Sequence, residues 1–277
     1  MISILILTLN EEDNLSRCLG SVEWSDDVVV VDSYSTDRTV ELALGSGARV
    51  LRNHFLSFAD QRNFGLCKGA LKHEWVLHLD ADEVVTEELR DEMLIAVNNP
   101  GKEAYQVASR LMFHGQWLKY SGLYPWYQVR LGRRSSLTFV QVGHGQRENL
   151  PAEKIGTLNA ALLHYSFSKG LHDWVEKHNR YSTDEARHFL EKGFGQATDW
   201  PSLLVGLGAT QRRRALKQLF FHLPCRPLLR FLYMYFIRFG FFDGLPGYHY
   251  CRLLAIYEYM IVIKTKELRR RKLGLPV

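Results

Sequence analysis

Trp75-Val76-Leu77-His78-Leu79-Asp80-Ala81-Asp82-Glu83 carries a nearly unbroken apolar run straight into a cluster of carboxylates. The run is too short for a core helix and suits a strand buried on both faces. The acids that follow stand where open α/β sheets bind ligands, beyond the carboxyl ends of the strands. The same pattern recurs upstream. Ile2 to Leu7 runs into Thr8-Leu9-Asn10-Glu11-Glu12, and Val28 to Val31 runs into Asp32-Ser33-Tyr34-Ser35-Thr36-Asp37. One polar cluster could simply cap the helix after it. Three on one sheet edge point to a ligand.

Helical spacing fills the intervals. Leu15, Cys18, Leu19 and Val22 fall on one helix face, and Thr39 to Ala48 and Asp60 to Ala70 also read as helices. A short strand begins at Val50-Leu51. A further helix starts after Thr86, with Glu87 and Glu88 at its positive end and Leu89, Met93 and Val97 along one side, and Pro100-Gly101 stops it. Strand–helix alternation of this kind predicts an α/β fold: a doubly wound, mostly parallel sheet flanked by helices.

Downstream, Ala104 to Arg110 and Trp126 to Leu131 read as strands. Lys169 to Lys192 reads as a helix, with Leu171, Trp174, Val175, His178 and Tyr181 on one side. After Asp199-Trp200-Pro201 the chain turns aromatic and basic, with Phe220 and Phe221, then Phe231 to Phe242, interrupted by Arg226, Arg230 and Arg238. A spanning helix needs about 20 mostly apolar residues, which these arginines prevent. Two amphipathic helices joined at Phe242 to Gly247 fit better. The expected division is a domain over residues 1–200 and a helical, membrane-associating extension over 201–277.

The formal net charge of +5 is concentrated late, at Arg212 to Lys217 and Lys264 to Lys272. No nucleic-acid recognition motif accompanies it, so the expected partner is an anionic membrane surface, which also accounts for the aromatics. Four scattered cysteines without a C-x-x-C pair argue against a zinc site and a disulfide framework. The N-terminus opens directly into a strand pattern without a signal-peptide n-region. The expected location is cytoplasmic, at the inner face of the cell membrane.

The first turn lacks the G-x-G-x-x-G of dinucleotide-binding proteins and offers side chains instead. The order T-L-N-E-E, V-V-D-S-Y-S-T-D-R-T and L-H-L-D-A-D-E resembles that of family-2 glycosyltransferases with the GT-A fold, over roughly residues 1–200. The tail around Phe242-Asp243-Gly244 resembles the subgroup containing bacterial lipopolysaccharide-core glucosyltransferases. The resemblance implies that Thr8, Asn10, Glu11 and Asp32 line a nucleoside pocket, where the Asp32 carboxylate can accept a hydrogen bond from uracil N–H. Asp80-Ala81-Asp82 matches the family's D-x-D motif, with Asp82 expected on a divalent cation, Mg²⁺ or Mn²⁺, and Asp80 on the ribose or the metal's shell. Arg62 is expected on the diphosphate and Asn63 at the nucleoside. His164 is a candidate third metal ligand. The catalytic base expected of an inverting transferase falls to Glu148, with His144 as the other candidate, in the glycine-flanked segment Gly143-His144-Gly145-Gln146-Arg147-Glu148.

The implied reaction moves a sugar from a nucleotide sugar, a UDP-hexose, to a hydroxyl of a lipid-linked or cell-envelope saccharide. Two other classes stay open: a sugar nucleotidyltransferase, which would carry a glycine-rich basic loop after the first strand, and an inactive nucleotide-sugar-binding or membrane-binding protein.

Overall fold

The computed structural model describes residues 1–99, 101–142, 145–191 and 225–277. The chain divides into two units: Met1–Lys119 with Leu123–Gly170, and Tyr120–Gly122 with Leu171–Val277. The expected boundary at residue 200 lies outside the described residues. The observed division falls earlier, because the helix after Gly170 packs with the C-terminal helices.

The first unit begins with β1 (Ile2–Thr8), α1 (Glu12–Gly20), β2 (Val28–Asp32), α2 (Thr39–Gly45), β3 (Arg49–Arg52), α3 (Phe58–Lys68) and β4 (Trp75–Asp80). It continues through β5 (Glu83–Val84), α4 (Glu87–Ala96), β6 (Ala104–Phe113), β7 (Gln116–Trp117), β8 (Tyr127–Arg133), β9 (Phe139–Val142), β10 (Gly145–Glu148) and β11 (Ile155–His164). Among the described residues the main sheet has the order β3-β2-β1-β4-β8-β6-β11-β5, with β7 paired to β6. β3, β2, β1 and β4 are parallel, as the alternation predicts. β8 enters antiparallel between β4 and β6, and β11 runs parallel to β6. β9 and β10 form a separate antiparallel pair.

β1 is apolar except at Ser3 and Thr8 because both its faces are covered. Ile2, Ile4 and Ile6 pack with Leu15, Cys18 and Leu19 of α1 and with Leu89 and Met93 of α4. Leu5 faces the other way, into a second cluster with Val29, Val31 and Val76, against which Phe64 of α3 packs. Helix α3 approaches β1 closely at Gly65, where an added Cβ would lie 2.6 Å from Leu5 Cδ1. Helix starts follow local chemistry: Ser57 Oγ accepts from Asp60 N at 3.1 Å and Thr86 Oγ1 from Leu89 N at 3.2 Å.

In the second unit, α5 (Gly170–Glu191) precedes α6 (Arg226–Leu232), a π-helical turn (Tyr233–Ile237), a 3-10 turn (Gly240–Asp243) and α7 (Gly244–Lys272). The buried positions of α5 are Trp174, Ser182 and Ala186. Leu171 and Val175, expected on the same side, are exposed. Trp174 stacks on His178, and His178 meets Tyr257 of α7 edge-on. Lys264 Nζ donates to Ser182 Oγ and Thr183 Oγ1, both at 2.8 Å. Arg226 pairs with Glu258 at 2.5 Å, tying α6 to α7. No helix among the described residues is long and apolar enough to cross a membrane. Arg212 to Lys217, Phe220 and Phe221 lie outside the described residues.

Candidate active site

The carboxyl ends of β1, β2 and β4 carry their polar clusters at one edge of the sheet. At β2, Asp32 is fully buried. It accepts from Thr8 Oγ1 at 3.0 Å and from Ser35 N and Oγ at 2.9 and 2.5 Å. A carboxylate offers roughly four acceptor sites, so about one remains for a ligand. Thr8 therefore orients Asp32. Asn10 stitches two loops together: its backbone N–H donates to Ser35 Oγ and its Oδ1 accepts from Thr36 N, both at 2.8 Å. Its φ of 54° is a left-handed conformation that asparagine tolerates better than most residues. Beside this loop Tyr34 stacks on His54 at 4.1 Å between ring centroids, a pair that sequence spacing did not single out.

The end of β4 holds the densest charge. Asp80 Oδ1 accepts from Arg62 Nη2 and Oδ2 from Arg130 Nη2, both at 2.8 Å. Arg130 Nη2 also donates to Glu83 Oε1 at 2.5 Å. Burial opposes ionisation of Asp80, but Arg130 and Arg62 outweigh it and hold its pKa well below the usual carboxylate range. Burial raises Glu83 despite Arg130. Arg62, 1% exposed, is pulled down to about 10 by burial. It lies under Phe139, whose ring centroid is 5.8 Å from its guanidinium carbon. Arg62, expected on the diphosphate, is enclosed in this structure and holds Asp80. Asn63 is the residue expected at the nucleoside. Its Nδ2 donates to Phe139 O at 2.8 Å and its Oδ1 accepts from Phe139 N at 2.9 Å, so both ends of the amide pin β9.

Asp82 comes next to His164 because β5 crosses to the far edge of the sheet and pairs with the end of β11, with His164 opposite Glu83. His164 Nε2 lies 3.2 Å from Asp82 Oδ2, and Tyr165 N donates to Asp82 O at 2.9 Å. Burial opposes the imidazolium, but Asp82, Glu83 and Asp80 prevail and raise its pKa to about 9. Glu11 joins the same acidic neighbourhood. Burial raises its pKa, Asp82 adds to the rise, and Lys169 at 2.6 Å and Asn14 at 2.8 Å counter it.

Among the described residues no three His, Cys, Asp or Glu side chains form a preformed metal cage. Asp82 and His164 supply two donors of the right chemistry at one edge. Mg²⁺ and Mn²⁺ sites commonly combine one or two carboxylates with phosphate oxygens and water, so the residues fit a cation completed by its ligand. Asp80, expected on the ribose or in the metal's shell, has each oxygen bonded to an arginine.

Glu148 ends β10 directly opposite Phe139 of β9. Cross-strand partners project to the same face, so Glu148 shares the face on which Phe139 covers Arg62. His144 lies outside the described residues. The sequence singles out neither Arg130 nor Lys169, and it shows Glu83 only as one acid of the cluster after β4. The signal of Arg130 and Glu83 is the burial of charged side chains, and that of Lys169 is its ion pair with Glu11, neither of which a local pattern displays.

The mostly parallel sheet with its acid-rich edge has the GT-A-type glycosyltransferase fold. A mannosyltransferase from Pyrobaculum calidifontis, solved with GDP-Man and Mn²⁺, shares it with a TM-score of 0.52 and 17% identity, covering 95% of this chain and 86% of that one. The family description "Glycosyl transferase family 2" matches residues 3–145. An uncharacterized glycosyltransferase of Rickettsia bellii is 32% identical over 205 residues, 69% of this chain and 68% of that protein. The chain belongs to glycosyltransferase family 2. The lipopolysaccharide core biosynthesis glycosyltransferase LpsC of Rhizobium meliloti is 25% identical over 282 residues, 96% of this chain and 92% of that protein.

Proposed function

We propose that this glycosyltransferase moves a hexosyl group from a nucleoside diphosphate sugar, a UDP-hexose, to a hydroxyl of a cell-envelope saccharide, with inversion at the anomeric carbon. The observation that carries the reading is the Asp82–His164 pair, 3.2 Å apart, beside an Asp80 held by two arginines. The remaining acceptor site on Asp32 suits the uracil N–H. Asp82 and His164 would hold one Mg²⁺ or Mn²⁺, which when bound supplies charge neutralisation for the departing diphosphate. Arg62 and Arg130 keep Asp80 oriented. Glu148 takes the acceptor proton as the acceptor oxygen attacks from the side opposite the leaving diphosphate. The Rhizobium relative, alike over nearly the whole of both chains, supports a saccharide of the lipopolysaccharide core as acceptor.

Melting the protein with UDP, GDP and a panel of UDP-sugars, each with and without Mn²⁺, tests the donor and the cation together. A ligand that binds only the folded state raises the melting temperature by mass action. The expected result is a UDP shift that requires Mn²⁺. A folded protein that responds to GDP alone would replace the nucleoside, and one that responds to no nucleotide would overturn the reading.

A further inference from the structure

We propose that the exposed face of α7 and the aromatic turn before it dock onto the headgroup layer of an anionic lipid bilayer. This rests on observations within the second unit and not on the donor assignment. The turn displays apolar side chains that the described residues leave exposed: Phe236 is 52% exposed, Ile237 67%, Phe239 53% and Phe242 66%. The turn is also tightly built. Phe239 is held at a φ of 60°, a conformation that phenylalanine rarely adopts. Asp243 accepts from Ser121 N and Oγ, both at 2.7 Å, and from Tyr120 N at 3.0 Å. Gly247 lets α7 close on the turn, since an added Cβ would meet Gly240 O at 2.5 Å. A fixed turn that shows its aromatics outward is preorganised for a partner.

The apolar surface continues along the helix. Leu245, Tyr248, Ile256, Tyr259 and Ile263 are exposed at steps of three, four or eight residues, one stripe of an α-helix. Arg252 and Lys266 lie in the same stripe, which ends at Arg269 to Lys272. Twenty-nine residues at about 1.5 Å each extend about 44 Å, which suits a helix lying along a surface.

Charge selects the occupant. Residues 225–277 hold ten Lys and Arg against three Asp and Glu. None of the three acids is exposed: Asp243 is buried, Glu258 is paired with Arg226, and Glu267 is paired with Arg271 at 2.8 Å. A second copy would bring like charges together. A nucleic acid could stack its bases on the phenylalanines but would leave the exposed Ile237, Leu245, Ile256 and Ile263 without a counterpart. Anionic headgroups meet the arginines and lysines while the aromatics and isoleucines enter the acyl boundary.

Flotation of the full chain with vesicles tests this, using phosphatidylcholine alone and phosphatidylcholine mixed with phosphatidylglycerol. The expected result is binding to the mixed vesicles at least about tenfold stronger than to the neutral ones, weakening with salt. Phe236→Ser with Phe242→Ser should reduce it about tenfold or more, with melting temperature and nucleotide response unchanged. Gln at positions 269–272 should remove the preference for the anionic lipid. A folded wild-type protein that ignores mixed vesicles, or variants that float like it, would overturn the proposal. So would loss of a solution dimer, rather than of vesicle binding, on the same substitutions. Nucleotide response is read separately, so failure of either proposal is distinguishable from failure of the other.

Discussion

Arg130 reaches two acids with one nitrogen: its Nη2 lies 2.8 Å from Asp80 Oδ2 and 2.5 Å from Glu83 Oε1. Arg130 is 3% exposed and Glu83 1%, so removing the guanidinium would take the ion-pair partner from buried Glu83 and leave Asp80 with Arg62. Breaking a buried pair this way costs about 3–5 kcal/mol. Arg130→Met should therefore lower the melting temperature by roughly 10 °C in a unit of this size. An unchanged melting curve would show that the acids find other partners.

Asp80 and Asp82 stand two residues apart and should fail differently. Asp80→Asn removes the counter-charge of two enclosed arginines, so the ligand-free protein should lose stability. Asp82→Ala should alter the ligand-free melting temperature far less but abolish the Mn²⁺-dependent nucleotide shift. It should also reduce turnover by about a thousandfold, on the scale of other transition-state charge stabilisers. Equal behaviour of the two variants in both assays would contradict the division of roles.

Glu148→Gln keeps the size of the side chain and removes the base. Turnover should drop by about 10²–10⁴, with the nucleotide-induced melting shift retained. Nucleotide release, measured with acceptor present, reads the first, and calorimetric melting reads the second. Full activity in this variant would assign the proton transfer elsewhere.

Acid stability should depend on Asp27, which is 2% exposed. Burial works to raise its pKa, but Ser3 Oγ at 2.5 Å, Lys72 N at 2.7 Å and Arg49 Nη2 at 2.6 Å outweigh it and lower the value. A carboxylate with a depressed folded pKa stabilises the fold above its unfolded value, near 3.9. That contribution is lost as pH falls through the folded value. The urea midpoint of the wild type should fall steeply below about pH 4. Asp27→Asn should be less stable at pH 7 and flatter in acid, and parallel curves for the two proteins would refute the assignment.

The first half of the fold is legible because its determinants are local. Ile2 to Leu7, Val28 to Val31 and Trp75 to Leu79 are apolar at every step or nearly so, and Thr86 caps its helix through its own side chain. The same locality exposes Asp80 and Asp82, because a strand that ends in acids is visible without any partner. His164 stands at the end of an apolar run, and the sheet brings it to Asp82.

What the sequence alone determined is the four parallel strands and four helices of the first hundred residues, without the short β5, and the acids at the strand ends, since hydrophobic period and capping act over a few positions. Only the tertiary structure decided which charges neutralise one another. Arg62, Arg130 and Lys169 lie on three separate segments, 18, 50 and 158 residues from the acids they meet. Their pairing follows from the antiparallel entry of β8, the crossing of β5 to β11 and the packing of α3. Ion pairing in a low-dielectric interior depends on distance in space, and distance in space is set by sheet order, which no local pattern of residues encodes.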